Sequence, residues 1–369
     1  MELFDPAFVN ELAGISRDTA TAAERERRVA PELIKLLRHR GLGVAAAPES
    51  VGGSNPAVAD LLEVVKEVAQ GDASAGWVTM IYVTSAAAAH WIPPAGLLEV
   101  FQKGSDTLLA GVVAPRGQAT TTSDGFRLSG RWAFGSGAAD ADWIGLGAVI
   151  DHDPTRTGLF YVPRDVVTIV DTWDVLGLRA SASHDLQVDT APVPERLVSY
   201  LDQPPHTFEA VARFPVYGLL AAGIAAVGIG LAESALAEGI ELAGGKTPTG
   251  SKRRLADRPA FQEAVARAQA GLDSAWHYLA HVASGAATTA TLAEKVRLRL
   301  AATAAVEASR HAVDSIYTLA GGSSIYSGSP LQRYLRDIHT VSQHMMIAQP
   351  TWELTGRVLL GLDSDPIGL

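Results

Sequence analysis

The feature that most constrains the fold is a series of long alanine-rich segments in the C-terminal half of the chain. Apolar residues recur there at helical spacing over about 209–243, 259–285 and 290–320. Helices of about 25–35 residues are far longer than the average of about 11–12 in globular proteins. Because such helices bury their apolar faces against each other, the pattern predicts a bundle. Shorter helices are predicted at 330–345 and 350–360.

The N-terminal part of the chain, residues 1–106, also has helical periodicity. Ala22–Arg40 carries apolar residues at helical spacing, and Gly41 directly follows it as an expected C-terminal stop. A later apolar helix that runs to about His90 is predicted to begin at a cap residue, either Asp72 or Ser74. We therefore expect a helical domain over this part of the chain.

Between residues 107 and 205 the character of the sequence changes. Short segments rich in β-branched and aromatic residues alternate with Gly, Pro and Asp, and Ser123-Asp124-Gly125 fits a tight hairpin turn. These patterns predict a compact β domain. The whole order predicts an α+β protein with a helical domain at 1–106, a β domain at 107–205 and a helical bundle at 206–369.

Composition and charge exclude several classes of function. The chain has 30 basic and 40 acidic residues, a formal net charge of −10, which argues against nucleic acid as a partner. It has no cysteine, so disulfides and thiolate metal sites are excluded, and no clustered ligands predict another metal site. Tyr217–Leu231 is too short to span a membrane, and the N-terminus lacks the pattern of a signal peptide. We therefore expect a cytoplasmic protein without a membrane partner.

Five short motifs are distributed in order over most of the chain. They are PESVGG at Pro48–Gly53, GDASAGW at Gly71–Trp77, LSGRWAFGSG at Leu128–Gly137, LGLRASASHD at Leu176–Asp185 and the segment Ala320–His344. Together, and in this order, they resemble the acyl-CoA dehydrogenase superfamily. The resemblance implies that family's α+β fold, with an N-terminal helical domain, a central β-barrel or sandwich domain and a C-terminal four-helix bundle.

The last motif differs from that of the dehydrogenases in its chemistry. Their carboxylate base usually follows the equivalent of Arg336-Asp337 by about two helical turns, whereas Ser342–Met346 here contains no acid. The chain is therefore more similar to the two-component flavin monooxygenases. That branch takes reduced FMN or FAD from a separate NAD(P)H:flavin reductase and forms a C4a-hydroperoxyflavin with O2. It transfers one oxygen atom to a small molecule, here expected to be aromatic, polycyclic or an amine.

The resemblance also implies roles for individual residues. Phe134 takes the place of the aromatic residue that lies against the flavin ring, and Ser136 the place of the hydroxyl that reaches the ring edge. His344 lies near the position of the dehydrogenase base and is the candidate for bonding the flavin peroxide or taking a proton from the substrate. His339 is expected to bond the flavin edge or to orient a neighbouring residue.

Further candidates surround this group. Trp77 is expected to wall the flavin or the substrate, His90 to bond the substrate in the pocket, and Ser183 to touch the flavin or the substrate from its turn. Lys252 and Arg253 follow hydroxyl-bearing residues in a loop that can bind a phosphate. Because that loop lacks the aromatic-glycine clamp for the adenosine half of FAD, FMN is slightly preferred.

The resemblance also implies an oligomeric state. It predicts a homotetramer, or at least a dimer, formed through the C-terminal helices.

Two alternative functions remain open. An acyl-thioester dehydrogenase with a relocated base is a second hypothesis, for which Glu233, Glu238 and Glu241 are the acids to consider. A non-catalytic protein with a flavin-binding fold is the third. The three differ in whether reduced flavin, oxidised flavin or no flavin binds.

Overall fold

The computed structural model describes residues 4–285 and 291–362. Its N-terminal part is helical, as predicted, but Ala22–Arg40 is not one helix. The first helix ends at Glu26 because Arg27 adopts the left-handed conformation with φ 53°, and Pro31 starts a new helix. The helices of this part are α1 (Pro6–Glu26), α2 (Pro31–His39), α3 (Val58–Gly71), α4 (Ala73–Ala88) and α5 (Pro94–Val100).

The β-rich segment forms one mixed sheet of seven strands. The order is β5-β6-β2-β1-β3-β4-β7, and every pair is antiparallel except β1 with β3. The predicted hairpin is present, since Thr122 pairs with Gly125 across a two-residue turn. The strands are β1 (Leu109–Thr122), β2 (Gly125–Trp132), β3 (Trp143–Ile150), β4 (Asp153–Pro163), β5 (Thr168–Val170), β6 (Asp185–Val193) and β7 (Val198–Ser199).

The C-terminal part contains the long helices that the alanine-rich pattern predicts. The predicted segment 209–243 is divided at Phe214-Pro215 into a short helix and a long one, because proline cannot continue the preceding helix. The helices are α6 (Ala210–Arg213), α7 (Val216–Gly245), α8 (Pro259–Gly285), α9 (Leu292–Ala320), α10 (Pro330–Val341) and α11 (Pro350–Leu359). The expected α+β fold is thus confirmed.

Helix α7 packs against helices of both helical parts of the chain. It packs against α9 and α10 of the bundle and against α3 and α4 of the N-terminal part. Glycines allow the close approach: a Cβ on Gly230 would lie 2.1 Å from the Lys66 carbonyl oxygen of α3. α7 is long and apolar enough to cross a membrane, but 83% of its most apolar window is buried. That burial is typical of the core helix of a bundle.

Candidate functional site

The site is built around the first turns of α4. Of the two predicted cap residues, Asp72 and Ser74, it is Asp72 that caps this helix, by accepting a hydrogen bond from the Ala75 N–H at 2.8 Å. One turn further, the indole Nε1 of Trp77 donates to the Ser136 hydroxyl at 3.0 Å. This bond joins the N-terminal helices to the loop that follows β2.

The loop after β2 has a tightly constrained backbone. Phe134 has φ 67°, a conformation that is costly for an aromatic residue, and Gly137 has φ 70°. A Cβ at position 135 would lie 2.4 Å from the Leu186 side chain, so any residue larger than glycine would clash there. Ser136 is 4% exposed as a result, and its hydroxyl points toward Trp77 and Ser183.

A second loop, between β5 and β6, brings two more hydroxyls to Ser136. Leu178 and Ala182 both have left-handed backbone, which folds the segment into a tight turn. Ser183 Oγ then lies 2.6 Å from Ser136 Oγ and 2.7 Å from Ser181 Oγ. Ser181 Oγ donates to the Leu178 carbonyl at 2.7 Å. The result is a buried row of three hydroxyl groups that ends at Trp77.

His344 also lies against Trp77. It follows the C-terminal end of α10, and its ring meets the indole edge-on with the centroids 5.6 Å apart. Burial, and then the nearby charge of Arg299, lowers the pKa of His344 to about 4. Its Nδ1 accepts a hydrogen bond from the Met346 N–H at 3.2 Å, which assigns the proton of the neutral ring to Nε2. At neutral pH this histidine is therefore a hydrogen-bond donor.

The structure adds one residue to the site that the sequence did not single out for a role there. This residue is Asp337 of α10, whose buried carboxyl group accepts the Leu178 N–H at 2.7 Å. Burial, and then the charge of Asp72, raises the pKa of Asp337 to about 7. Asp337 thus fixes the turn that carries Ser181 and Ser183, which only the three-dimensional contact reveals.

Phe134 differs from its neighbours in being open to solvent. It exposes 68% of its surface, and its ring meets that of Trp173 edge-on with the centroids 6.1 Å apart. Met345, next to His344, exposes 73%. Both side chains offer apolar surface that a flat ring can cover.

The structure does not bring His90 to this site. His90 follows Trp77 by thirteen residues, just beyond the end of α4. At the rise of a helix this separation is about 20 Å along the axis of α4. Both ring nitrogens are occupied, Nδ1 by the Thr207 hydroxyl and Nε2 by the Ala46 carbonyl at 3.0 Å. Burial lowers the pKa of His90 to about 4. These contacts give it a role in fixing loops at the far end of α4.

His339 and the basic loop are also directed away from Trp77. His339 bonds Asp314 of α9 through Nε2 at 2.8 Å, so it links two bundle helices. Lys252 and Arg253 are exposed in the loop that follows α7. That loop lies about 25 Å along α7 from Gly228, which contacts Ile338 of α10. Within one chain these cations do not reach the group around Trp77.

The side chains that do meet suit a flavin better than a metal ion. The described residues contain no group of three or more metal-ligating side chains. The group around Trp77 instead combines the aromatic surface of Trp77 with a hydroxyl on Ser136 and an imidazole N–H on His344. Phe134 precedes Ser136 by two residues in the same loop. A flat aromatic ring system with polar atoms along one edge is complementary to that set. The residues present therefore fit the isoalloxazine ring of a flavin.

Comparison with known proteins agrees with this geometry. Residues 222–349 match the family model described as acyl-CoA dehydrogenase, C-terminal domain. The chain is 31% identical to indole-3-acetate monooxygenase of Pseudomonas putida, over 96% of this chain and 94% of that protein. It is 28% identical to the oxygenase component of the FADH2-dependent resorcinol hydroxylase of a Rhizobium species, over 96% and 94%.

A solved structure supports the same relationship. XiaF of a Streptomyces species, solved with FADH2 and glycerol, superposes with a TM-score of 0.91 and 29% identity, covering 98% of this chain and 95% of that one. Similarity of this extent includes the helical domain, the sheet and the bundle together. The chain belongs to the acyl-CoA dehydrogenase superfamily, in the branch of two-component flavin-dependent monooxygenases.

Proposed function

We propose that this protein is the oxygenase component that hydroxylates an aromatic small molecule with O2 and reduced flavin from a separate reductase. The observation that carries the proposal is the group formed by Trp77, Ser136 and His344. Its polar members are a hydroxyl and a neutral imidazole, whereas proton abstraction from an acyl thioester needs a carboxylate. The named substrates of two relatives, indole-3-acetate and resorcinol, support an aromatic substrate.

The reaction balances with the flavin as reductant. Reduced flavin, when bound, supplies the two electrons with which O2 is split, so that one oxygen atom enters a substrate C–H bond and the other leaves as water. With the flavin bound, His344 would be positioned to donate its Nε2–H to a reacting oxygen atom. It does not serve as the base at neutral pH, because Nε2 already carries a proton and Nδ1 accepts from the Met346 N–H. Trp77 and Phe134 would shield the bound ring from water.

The dehydrogenase alternative receives no support from Glu233, the first of the acids considered for it. Glu233 accepts a hydrogen bond from Gln70 of α3 at 2.7 Å and is close to the Lys66 ammonium. These partners bind it to the contact between α3 and α7. Its pKa is raised mainly by burial. We find no contact between this carboxylate and Trp77, Ser136 or His344 among the described residues.

The proposal extends to the identity of the flavin, the oligomeric state and the cellular location. FMN remains preferred because residues 244–254 lack the aromatic-glycine clamp, although two relatives are named or solved with FADH2. We propose a homotetramer or dimer, since Leu359 and Leu360 at the end of α11 are 68% and 76% exposed. A cytoplasmic location, without membrane or nucleic acid partners, would give the reductase its NAD(P)H.

The test is rapid mixing of the protein and anaerobically reduced FMN, or FAD, with O2 while the flavin absorbance is followed. The proposal predicts a long-lived absorbance species between reduced and oxidised flavin, with a longer lifetime for the preferred flavin. Adding an indole or a phenol with labelled O2 should place one labelled atom in the product. Immediate single-step reoxidation with both flavins would contradict it, and retention of oxidised FAD that acyl thioesters bleach would indicate a dehydrogenase.

A further inference from the structure

The three buried hydroxyl groups at the site have a fixed direction of hydrogen bonding. The direction is set at Ser181, whose Oγ lies 2.7 Å from the Leu178 carbonyl oxygen. A carbonyl has no proton, and two oxygen atoms this close repel each other unless a hydrogen lies between them. Ser181 must therefore use its only proton on Leu178, and it has none left for Ser183.

The direction of the hydrogen bond at Ser181 fixes the direction of the next two bonds in the row. Since Ser181 has no proton to give, the 2.7 Å contact with Ser183 requires Ser183 to donate. Ser183 has used its own proton in turn, so the 2.6 Å contact with Ser136 requires Ser136 to donate. All three protons point away from Trp77 and toward Leu178.

Trp77 uses one of the two lone pairs of the Ser136 hydroxyl. Its indole Nε1 is a donor only, and it donates to Ser136 Oγ at 3.0 Å. A serine hydroxyl has one proton and two lone pairs. Ser136 gives its proton to Ser183 and one lone pair to Trp77, which leaves one lone pair and no proton. Toward any further partner, Ser136 is a hydrogen-bond acceptor only.

We propose that this row makes the site selective for reduced over oxidised flavin, with Ser183 and Ser181 as positioning residues that fix Ser136 as an acceptor. The inference rests on the proposed function, in which Ser136 faces the edge of the flavin ring. Reduced flavin carries a proton on N5 and can donate there, whereas oxidised flavin presents only a lone pair at N5. An acceptor-only hydroxyl attracts the first and repels the second.

The selectivity suits an enzyme whose flavin arrives reduced and leaves oxidised. Reduced flavin gains a hydrogen bond at Ser136 on binding, and the spent flavin loses that bond and meets a lone pair instead. Oxidised flavin is therefore discriminated against at the same atom that holds the reduced form. Ser181, which is 0% exposed, takes part only through Ser183.

The experiment measures dissociation constants of reduced and oxidised FMN and FAD, the reduced forms anaerobically, for wild type and variants. Ser183→Ala removes the acceptor of the Ser136 proton, and Ser181→Ala frees the Ser183 proton to turn toward Ser136. Each change lets Ser136 donate to N5 of the oxidised ring. We expect both to lower the preference for reduced flavin by about two- to tenfold, the factor associated with one net hydrogen bond.

The controls separate this effect from simple damage. Ser183→Thr keeps the hydroxyl and should restore the wild-type preference. Ser309→Ala deletes another buried hydroxyl, bonded to the Ala305 carbonyl in α9, and should leave the preference unchanged. If either alanine variant misfolds, the other still carries the test, because both predict the same sign.

The outcomes distinguish this inference from the proposed function. Wild type that binds reduced flavin without preference, or alanine variants that bind flavin with the wild-type ratio, would overturn the directed row while leaving the monooxygenase intact. Wild type that binds no flavin in either state would overturn the proposed function itself. A lower ratio in both alanine variants, with the ratio kept in Ser183→Thr and Ser309→Ala, supports the inference.

Discussion

The indole of Trp77 contacts Ser136 through its nitrogen, at 3.0 Å, and His344 through its ring, at 5.6 Å between centroids. One side chain of α4 thus connects the loop after β2 to the end of α10. The three parts of the fold meet at this residue. Since α4 is anchored by its Asp72 cap and by packing on α7, the hydroxyl and the imidazole are held on a rigid support.

His344→Ala is expected to lower product formation by about 10²-fold, the typical effect of removing one donor from a charge-stabilising site. The flavin should still be oxidised, so that O2 yields hydrogen peroxide in place of product. Product and peroxide yields per flavin measure this coupling. His277→Ala, on an exposed histidine of α8, is the matched control and should remain coupled. Full coupling in His344→Ala would remove His344 from the mechanism.

Asp337→Asn is expected to change the pH dependence of stability. The pKa of Asp337 is raised to about 7 in the folded protein, so its contribution is present below its unfolded pKa and is lost as pH rises toward 7. Asparagine does not ionise, so the variant does not lose this stability as pH rises. Its side-chain carbonyl can still accept the Leu178 N–H. Relative to wild type, the variant should gain on the order of 1–3 kcal/mol between pH 4 and pH 8.

Urea unfolding at pH 4, 6 and 8 checks this expectation. Asp314→Asn, at a half-buried acid that bonds His339, is the control for replacing an acid by an amide. An equal difference between Asp337→Asn and wild type at all three pH values would mean that Asp337 is ionised in the folded state throughout.

Gly177→Ala is expected to destabilise the protein and to displace the serine turn. The added Cβ would lie 2.2 Å from the Arg336 carbonyl oxygen and 2.4 Å from its carbon, and backbone atoms cannot yield as side chains do. We expect a loss of about 2–3 kcal/mol. Gly271→Ala, in the interior of α8 with nothing within 4 Å, should instead stabilise by about 0.5–1 kcal/mol. Thermal unfolding of both variants gives the comparison.

Local sequence patterns predicted the local structure well. The turn at Ser123-Asp124 and the bounds of α8 follow from neighbouring residues, and the structure confirms them. The cap of α4 was predicted at either Asp72 or Ser74, and the structure shows Asp72. The break in Ala22–Arg40 was missed because apolar spacing continues through it, although Pro31 was a visible signal. Periodicity alone does not register a left-handed residue such as Arg27.

The site was predictable only where the family motifs carry it. Trp77, Ser136, Ser183 and His344 come together in the structure. His90 and His339 do not join them, because a histidine in a sequence reveals neither the helix face nor the partner that occupies its nitrogens. The direction of the hydroxyl row depends on interatomic distances, and no sequence pattern encodes it.

Phe134→Gly is expected to separate flavin binding from stability. Phe134 has φ 67° and is 68% exposed, so its ring contributes little to the core and its backbone is strained. Glycine adopts this φ without strain, which offsets the lost contact with Trp173, and the free energy of unfolding should change by less than about 1 kcal/mol. If the ring covers the flavin, reduced flavin should bind at least about tenfold more weakly.

Anaerobic titration measures the flavin affinity of Phe134→Gly, and urea unfolding of the same samples measures its stability. Leu98→Gly, at a similarly exposed apolar residue on α5, is the binding control. Unchanged flavin affinity in Phe134→Gly would mean that the strained, exposed ring serves another purpose.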